Sequence, residues 1–206
     1  MRFRLTRPAL FGLAGLLACA LWAGRSQAES PSPSAAERLN SPGPEAEELT
    51  RRAGTWDVVA TFWPKAGAEP QITRHLIAQR SMIGSFLHEV MRPAPGSGTP
   101  DFQRIDYLGW NRVEGRWQYV SLDTRLPVGI MPASSFSRGE PGRIALHFEP
   151  IAFPGFGPEV EGRMLRSDLT IVRKGANHEL KEQRFVAADG SGEPWLAARY
   201  EYTRKP

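Results

Sequence analysis

Residues 51–64, RRAGTWDVVATFWP, are the point at which the pattern of the chain changes. Gly54 ends a polar segment, and beyond it the larger apolar residues stand at every second position. They share one face of the stretch, which carries Trp56, Val58, Ala60 and Phe62. A period of two is typical of a β-strand with one buried face. The stretch therefore predicts the first strand of a sheet, with Trp56 as its first inward residue.

The same period continues to the end of the chain, with turn-forming residues about every ten positions. Further strands are predicted at about 71–80, 85–91, 102–111, 115–123, 127–136, 142–149, 163–173, 178–187 and 195–204. Because open sheet edges are costly, a series of short-turned strands is expected to close, with its last strand pairing with its first. The predicted fold class is all-β: an antiparallel, lipocalin-like β-barrel of about 8–10 strands.

The segment before the barrel divides into two parts. Residues 44–53, PEAEELTRRA, begin with Pro and acidic residues and are followed by Gly54, which predicts a short helix. Residues 29–43, ESPSPSAAERLNSPG, have no period, which predicts a disordered linker. The folded domain is therefore expected to span residues 44–206.

The first 28 residues have the pattern of a secretory signal peptide. Arg2, Arg4 and Arg7 precede an apolar run at 9–23, and small residues stand at Ser26 and Ala28. This pattern predicts cleavage after Ala28 and export to the periplasm or beyond. In an alternative interpretation, residues 16–19, LLAC, resemble a lipobox that would anchor the protein through a lipid on Cys19. The apolar run continues past that cysteine, which favours the cleaved form.

Removal of the signal peptide changes the charge and the cysteine content of the chain. The 206-residue chain has 26 basic and 22 acidic residues, and the four Arg at 2, 4, 7 and 25 leave with the signal, so 22 of each sign remain. A neutral chain gives no reason to expect nucleic acid as a partner. Cys19 is the only cysteine, so the mature chain has neither a disulfide nor a thiol nucleophile. No transmembrane span is predicted in it.

Two sets of short motifs resemble known families. Gly54-Thr55-Trp56 after a helix resembles the opening of lipocalin-like barrels, in which the Trp plugs the closed end and an Arg of the last strand packs over its indole. That resemblance implies a structural plug of Gly54, Trp56 and Arg204. The order of AGTW at 53–56, GSFL at 84–87, LGW at 108–110, Y-x-S-x-D at 119–123 and YTRK at 202–205 resembles the bacterial domain of unknown function 1579. That family implies a lipocalin-like barrel and no assigned activity.

One strand face is a candidate binding wall. Trp117, Tyr119, Ser121 and Asp123 lie on the same face of their strand. If this face points inward, it offers aromatic rings and a polar end to a small ligand. If it points outward, Val120 and Leu122 form the core instead, and the period alone leaves both open. The residues predicted to bind a ligand are His88, Trp110, Trp117, Tyr119 and Asp123.

Motifs for catalysis or metal binding are weak. The four His residues lack metal-ligand spacing, so neither a metal nor a cofactor is predicted. Ser134 and Ser135 lack a Gly-x-Ser-x-Gly frame, and no catalytic residue is assigned. An enzyme that uses the Gly-rich loop carrying Glu159 and Glu161, with Asp123 or His88, is the least favoured hypothesis.

Two functions remain from the sequence. The first is an exported barrel that holds a small apolar molecule in its interior, because a barrel of about eight strands has room for one small ligand. The alternative is a packed barrel that acts as an envelope protein-interaction module without a ligand. The sequence makes no prediction about the oligomeric state.

The signal peptide leads to a test by mass. We expect the exported protein to begin at Glu29, because Ala28 ends a signal-peptidase recognition pattern. Intact mass spectrometry of protein from the periplasm of an expressing bacterium measures this. A mass that corresponds to a lipidated chain beginning at Cys19 would overturn the cleavage prediction.

Overall fold

The fold is a closed antiparallel barrel. A computed structural model of the chain describes residues 32–153 and 164–206, so the predicted signal peptide and Cys19 lie outside the described residues. Within them the chain forms two short helices, α1 (Ala35–Asn40) and α2 (Pro44–Thr50), and ten strands. The strands are β1 (Gly54–Phe62), β2 (Gln71–Ile83), β3 (Phe86–Pro93), β4 (Arg104–Asn111), β5 (Arg116–Asp123), β6 (Met131–Ser134), β7 (Arg143–Ala152), β8 (Met164–Arg173), β9 (His178–Ala187) and β10 (Trp195–Arg204).

Each strand pairs with its neighbours in sequence, and β10 closes the barrel against β1. The closing register places Trp56 opposite Arg204 and Phe62 opposite Ala198. The all-β fold class and the closed meander predicted from the sequence are therefore confirmed. β6 is shorter than predicted, because Pro127 lacks an N–H for the ladder and Gly129 adopts a φ of 72°.

The helices differ in what they contact. α2 packs against β2, β3 and β4, and its Leu49 is fully buried among core residues of the barrel. We call this end of the barrel, where β1 begins, the closed end, and the opposite end, where β1 finishes at Phe62, the open end. α1 lies in the segment predicted to be a disordered linker, and its residues 35–38 and 40 are exposed. A capping box stabilises the first turn of α1: the Glu37 N–H donates to Ser34 Oγ and the Ser34 N–H donates to Glu37 Oε2.

Gly54 and Trp56 are required by the geometry of the closed end. Gly54 has a φ of 127°, and a Cβ at that position would lie 2.6 Å from Arg204 Nη1. Only glycine allows both the conformation and the approach. The Arg204 guanidinium carbon lies 4.3 Å from the ring centroid of Trp56, which is the cation–π contact expected from the resemblance. The Trp56 indole N–H donates to the Arg52 carbonyl at 3.0 Å.

None of the helices in the described part of the chain has both the length and the apolar character needed to cross a membrane.

Trp56 provides a test of the closed end. We expect Trp56→Ala to lower the free energy of unfolding by about 3–5 kcal/mol, because it removes a large, fully buried side chain and two cation–π contacts. Urea unfolding followed by circular dichroism measures the change. The matched control is Phe136→Ala, whose ring is 86% exposed, and we expect its effect to stay within about 0.5 kcal/mol. Equal stability of the Trp56→Ala variant and the parent would show that Trp56 is not a structural plug.

Candidate ligand cavity and the charges beneath it

Charged side chains cross the middle of the barrel interior, where a core is usually apolar. We call them the ionic layer; at most 6% of each side chain is exposed. Its members are Arg52, Arg80, Glu89, Arg104, Asp106, Glu179 and Lys181. They come from the residue pair after α2 and from strands β2, β3, β4 and β9. Buried charges are stable only when they are paired and hydrogen-bonded, so the contacts of the layer decide whether it can exist.

Glu89 and Glu179 link the cations on the closed-end side of the layer. Glu89 accepts hydrogen bonds from Lys181 Nζ at 2.9 Å, from the Tyr202 hydroxyl at 2.9 Å and from Arg80 Nε. Glu179 accepts from Arg80 Nη2 at 2.8 Å and from Arg52 Nη1. Each carboxylate thus serves two cations from different elements of the fold.

On the open-end side of the layer, Asp106 links the cations Arg104 and Lys181. It accepts from Ser121 Oγ at 2.7 Å, from Arg104 Nε at 3.2 Å and from Lys181 Nζ at 3.2 Å. Arg104 Nη2 also donates to the Tyr119 hydroxyl at 3.2 Å. Lys181 therefore joins Asp106 to Glu89, and the layer forms one connected network across the barrel.

The network fixes the ionisation of its carboxylates. Burial would raise the pKa of Asp106, but the adjacent charges of Arg104 and Lys181 outweigh it and hold that pKa below its usual range. Burial likewise opposes ionisation of Glu89 and Glu179, and the charge of Arg80 beside both keeps each pKa lowered. Burial would lower the pKa of Lys181, but interactions with Glu89, Tyr119 and Asp106 raise it. Glu89, Asp106, Glu179 and Lys181 are therefore charged at neutral pH.

Above the ionic layer, at the open end, the described residues line a cavity. The cavity has a volume of about 220 Å³. Its walls are largely apolar and aromatic, formed by Ala60, Phe62, Leu126, Met131, Phe148, Phe153, Phe185, Ala198 and Tyr200. Arg104, Ser121 and Gln183 line it from the side of the layer, and Thr61, Thr73, Asp123 and Arg125 complete the lining. An apolar cavity with a few convergent polar groups is typical of a small-molecule site.

Three polar side chains of the cavity have unused hydrogen-bonding capacity. Arg104 uses its Nε and Nη2 in the layer, and its Nη1 bonds to none of the described residues. The Gln183 Nε2 donates to Ser167 Oγ at 2.7 Å, which leaves its Oε1 as an acceptor in the cavity that it lines. The Tyr200 hydroxyl has no hydrogen bond within residues 32–153 and 164–206, and the Arg104 guanidinium carbon lies 4.7 Å from its ring.

The sequence left undecided whether the face of β5 that carries Trp117 points inward or outward, and in the structure it points inward. Trp117, Tyr119, Ser121 and Asp123 are all buried. Only Ser121 and Asp123 line the cavity, and Asp123 is held by a bidentate ion pair with Arg125 at 2.9 and 2.6 Å. Tyr119 does not line the cavity, and its hydroxyl accepts a hydrogen bond from Arg104 of the ionic layer below it.

Trp117 and Trp110 are at the other end of the barrel from the cavity. Their rings pack edge to face with centroids 5.1 Å apart, and the Trp117 indole N–H donates to the Arg138 carbonyl at 2.9 Å. Trp110 is the last residue but one of β4 and Trp117 is the second residue of β5, which places both at the closed end, where α2 packs. Neither residue lines the cavity, so its geometry does not support the prediction that they bind a ligand, and both rings pack at the closed end.

His88, also predicted to bind a ligand, does not line the cavity. His88 shares a face with Phe86 and Val90, and that face of β3 is the outer one. The His88 ring stacks on Tyr107 at 4.8 Å on the outside of the sheet. The opposite face buries Leu87, Glu89 and Met91. On the outer face the exposed Phe86 ring packs over Gly109, where a Cβ would lie 2.3 Å from it.

Sequence reasoning missed the ionic layer. In β3 and β9 the charged residues share a face with apolar ones, so the alternation of these strands is mixed. Glu89 stands between Leu87 and Met91 on its face, and Lys181 shares a face with Phe185. This mixture of charged and apolar residues on one face was the signal in the sequence for the ionic layer.

The predicted loop with Glu159 and Glu161 lies outside the described residues. The described residues contain no group of three or more His, Cys, Asp or Glu side chains that could hold a metal ion.

Comparisons with known proteins support the fold and nothing finer. No family model matches the chain, and no curated protein is detectably similar to it in sequence. Among solved structures the chain is similar to the crystal structure of Rv2717c from M. tuberculosis, with a TM-score of 0.50 and 15% sequence identity. The likeness covers 81% of this chain and 100% of that one. At this identity it shows the fold alone, and the resemblance to domain of unknown function 1579 stays a prediction.

The ionic layer predicts a loss of stability in acid. Because Glu89, Asp106 and Glu179 have lowered pKa values in the folded state, the unfolded chain binds more protons once the pH falls below about 5. Their contribution is complete above the unfolded pKa of about 4 and is lost as the pH falls through the folded values. We expect the melting temperature to change little between pH 8 and about 6 and to fall steeply below pH 4.

Single substitutions test whether the ionic layer causes this loss of stability in acid. We expect Asp106→Asn to cost about 3–5 kcal/mol at pH 7, as for a broken buried ion pair, and to approach the parent as the pH falls toward 3. Exposed Glu201 provides the control, since Glu201→Gln should follow the parent at every pH. Thermal melts from pH 8 to 3 measure this. A constant difference between Asp106→Asn and the parent over that range would show that Asp106 does not contribute as a buried ion.

Proposed function

We propose that the protein is an exported β-barrel that binds one small, largely apolar molecule in the cavity at its open end. The observation that carries this proposal is the hollow volume of about 220 Å³ between aromatic walls and a charged floor. A core would normally be close-packed, since unfilled apolar volume destabilises a protein. Export rests on the signal-peptide pattern of residues 1–28.

The volume indicates the size of the ligand. An apolar cavity of about 150 Å³ holds benzene, so about 220 Å³ takes a molecule of roughly ten non-hydrogen atoms. The rings of Phe148 and Phe185 and the side chain of Met131 offer it dispersion contacts on several sides. The ionic layer sets the depth, because its side chains fill the barrel below Arg104.

The alternative function, a packed interaction module, requires an interior without a usable cavity. The closed-end half of the barrel meets this requirement, since Leu49, Trp56 and Tyr202 are almost fully buried there. The open-end half does not. A filling variant separates the two functions, because it removes the cavity and leaves the outer surface unchanged.

A thermal-shift screen tests the proposal. We expect aromatic and aliphatic compounds of eight to twelve non-hydrogen atoms to include some that raise the melting temperature, since a ligand that binds only the folded state stabilises it. Ala60→Phe places a ring in the cavity that Ala60 lines, and it should abolish those shifts.

The control for that variant is Ala145→Phe, which places the same ring on the exposed face of β7 and should leave the shifts intact. Native mass spectrometry of the parent with each hit measures the stoichiometry, expected to be one. Two results contradict cavity binding: no stabilising compound in the whole panel, or equal shifts in the Ala60→Phe variant and the parent.

A further inference from the structure

The charges that face the barrel interior are balanced. Eight charged side chains are at most 6% exposed: the cations Arg52, Arg80, Arg104 and Lys181, and the carboxylates Glu89, Asp106, Asp123 and Glu179. Two less buried residues pair with them, Glu48 with Arg52 and Arg125 with Asp123, and these also cancel. The described interior therefore contains as many positive as negative charges by either count.

This balance limits the charge of a ligand. A buried ion is stable only beside an opposite charge that is free to pair with it. Arg104, the cation nearest to the cavity in the layer, already pairs with Asp106, and Asp123 at the rim already pairs with Arg125. A carboxylate or an ammonium group in the cavity would have to share one of these partners, and it would leave the interior with a net charge.

The unused hydrogen-bonding groups indicate the head group of the ligand. Arg104 Nη1 is a donor, Gln183 Oε1 is an acceptor, and the Tyr200 hydroxyl can be either. A ligand that satisfies both Arg104 and Gln183 must accept one hydrogen bond and donate another. A carboxylate can only accept and an ammonium can only donate, whereas a primary amide or a hydroxyl does both.

We infer that the ligand of the cavity is electrically neutral and carries one amide or hydroxyl head group on an apolar body of roughly ten non-hydrogen atoms. The inference rests on the proposed function. The head group bonds to Arg104 and Gln183 at the floor, and the apolar body lies against Phe148 and Phe185. A hydrogen bond donated by a guanidinium to a neutral oxygen is stronger than one between two neutral groups, which makes Arg104 the principal anchor.

Two compound series with matched skeletons test the head group. One is 3-phenylpropanamide, 3-phenylpropanol, 3-phenylpropanoate, 3-phenylpropylammonium and propylbenzene. The other is the octyl series of amide, alcohol, carboxylate, ammonium and octane, which removes any dependence on an aromatic ring. Isothermal titration calorimetry at pH 7 measures each affinity. We expect the amide or the alcohol to bind at least about tenfold more tightly than both ions and the hydrocarbon of its series.

Substitutions in the cavity test which side chains form hydrogen bonds with the head group of the ligand. Gln183→Leu removes the acceptor at nearly constant volume and should reduce the preference for amide over hydrocarbon by about tenfold, with hydrocarbon affinity unchanged. Gln79→Leu, on the exposed face of β2, is the control and should change neither. Tyr200→Phe removes only a hydroxyl and serves as the second variant if Gln183→Leu fails to fold; we expect it to weaken alcohol or amide binding and to spare the hydrocarbon.

The outcomes separate this inference from the proposed function. If no member of either series binds, ligand binding in the cavity fails together with the inference. If the carboxylate or the ammonium compound binds most tightly, the cavity binds ligands but the neutral head group is wrong. Equal affinity of amide and hydrocarbon, or a preference that persists in both Gln183→Leu and Tyr200→Phe, also overturns the assignment of the head group.

Discussion

The ionic layer is the constraint on which the rest of this barrel depends. Its charges come from α2's end and from four strands, and each carboxylate serves cations that are distant in sequence, as Glu179 does for Arg80 and Arg52. Such groups are stable when buried only if all partners are present, because a single unpaired ion in a core is strongly destabilising. The layer and the closed barrel therefore require each other: closure brings the charges together, and their pairing favours the register that closure needs.

The layer also divides the interior into two regions with different packing. Toward the closed end, Trp56 lies between the guanidinium groups of Arg80 and Arg204, and Leu49 of α2 fills the space beside the strands. Toward the open end, small side chains such as Ala60 and Ala198 face the interior, so the aromatic walls do not meet across it. The members of the polar network pair with one another below this space, and the cavity lies above them.

Part of the site could be predicted from the sequence and part could not. The face of β5 that ends at Asp123 was a candidate because it combines aromatic and polar residues, and Asp123 does line the cavity. His88 was also predicted to bind a ligand, yet it lies with Phe86 and Val90 on the outer surface, and Glu89 faces inward. Apolar neighbours indicate burial only when the other face is polar, and on β3 both faces are mixed.

The sequence by itself determined the number and order of strands and the closure, and its resemblance to lipocalin-like barrels implied the closed-end motif of Gly54, Trp56 and Arg204. The strands and their closure follow from local properties: a period of two and turn residues at regular spacing. Only the tertiary structure decided which charges are inside and where the interior is hollow. A buried charge is stabilised by partners such as Lys181 for Glu89, 92 positions away, and a cavity is a sum of side-chain volumes from many strands. Neither quantity exists in any single segment of the chain.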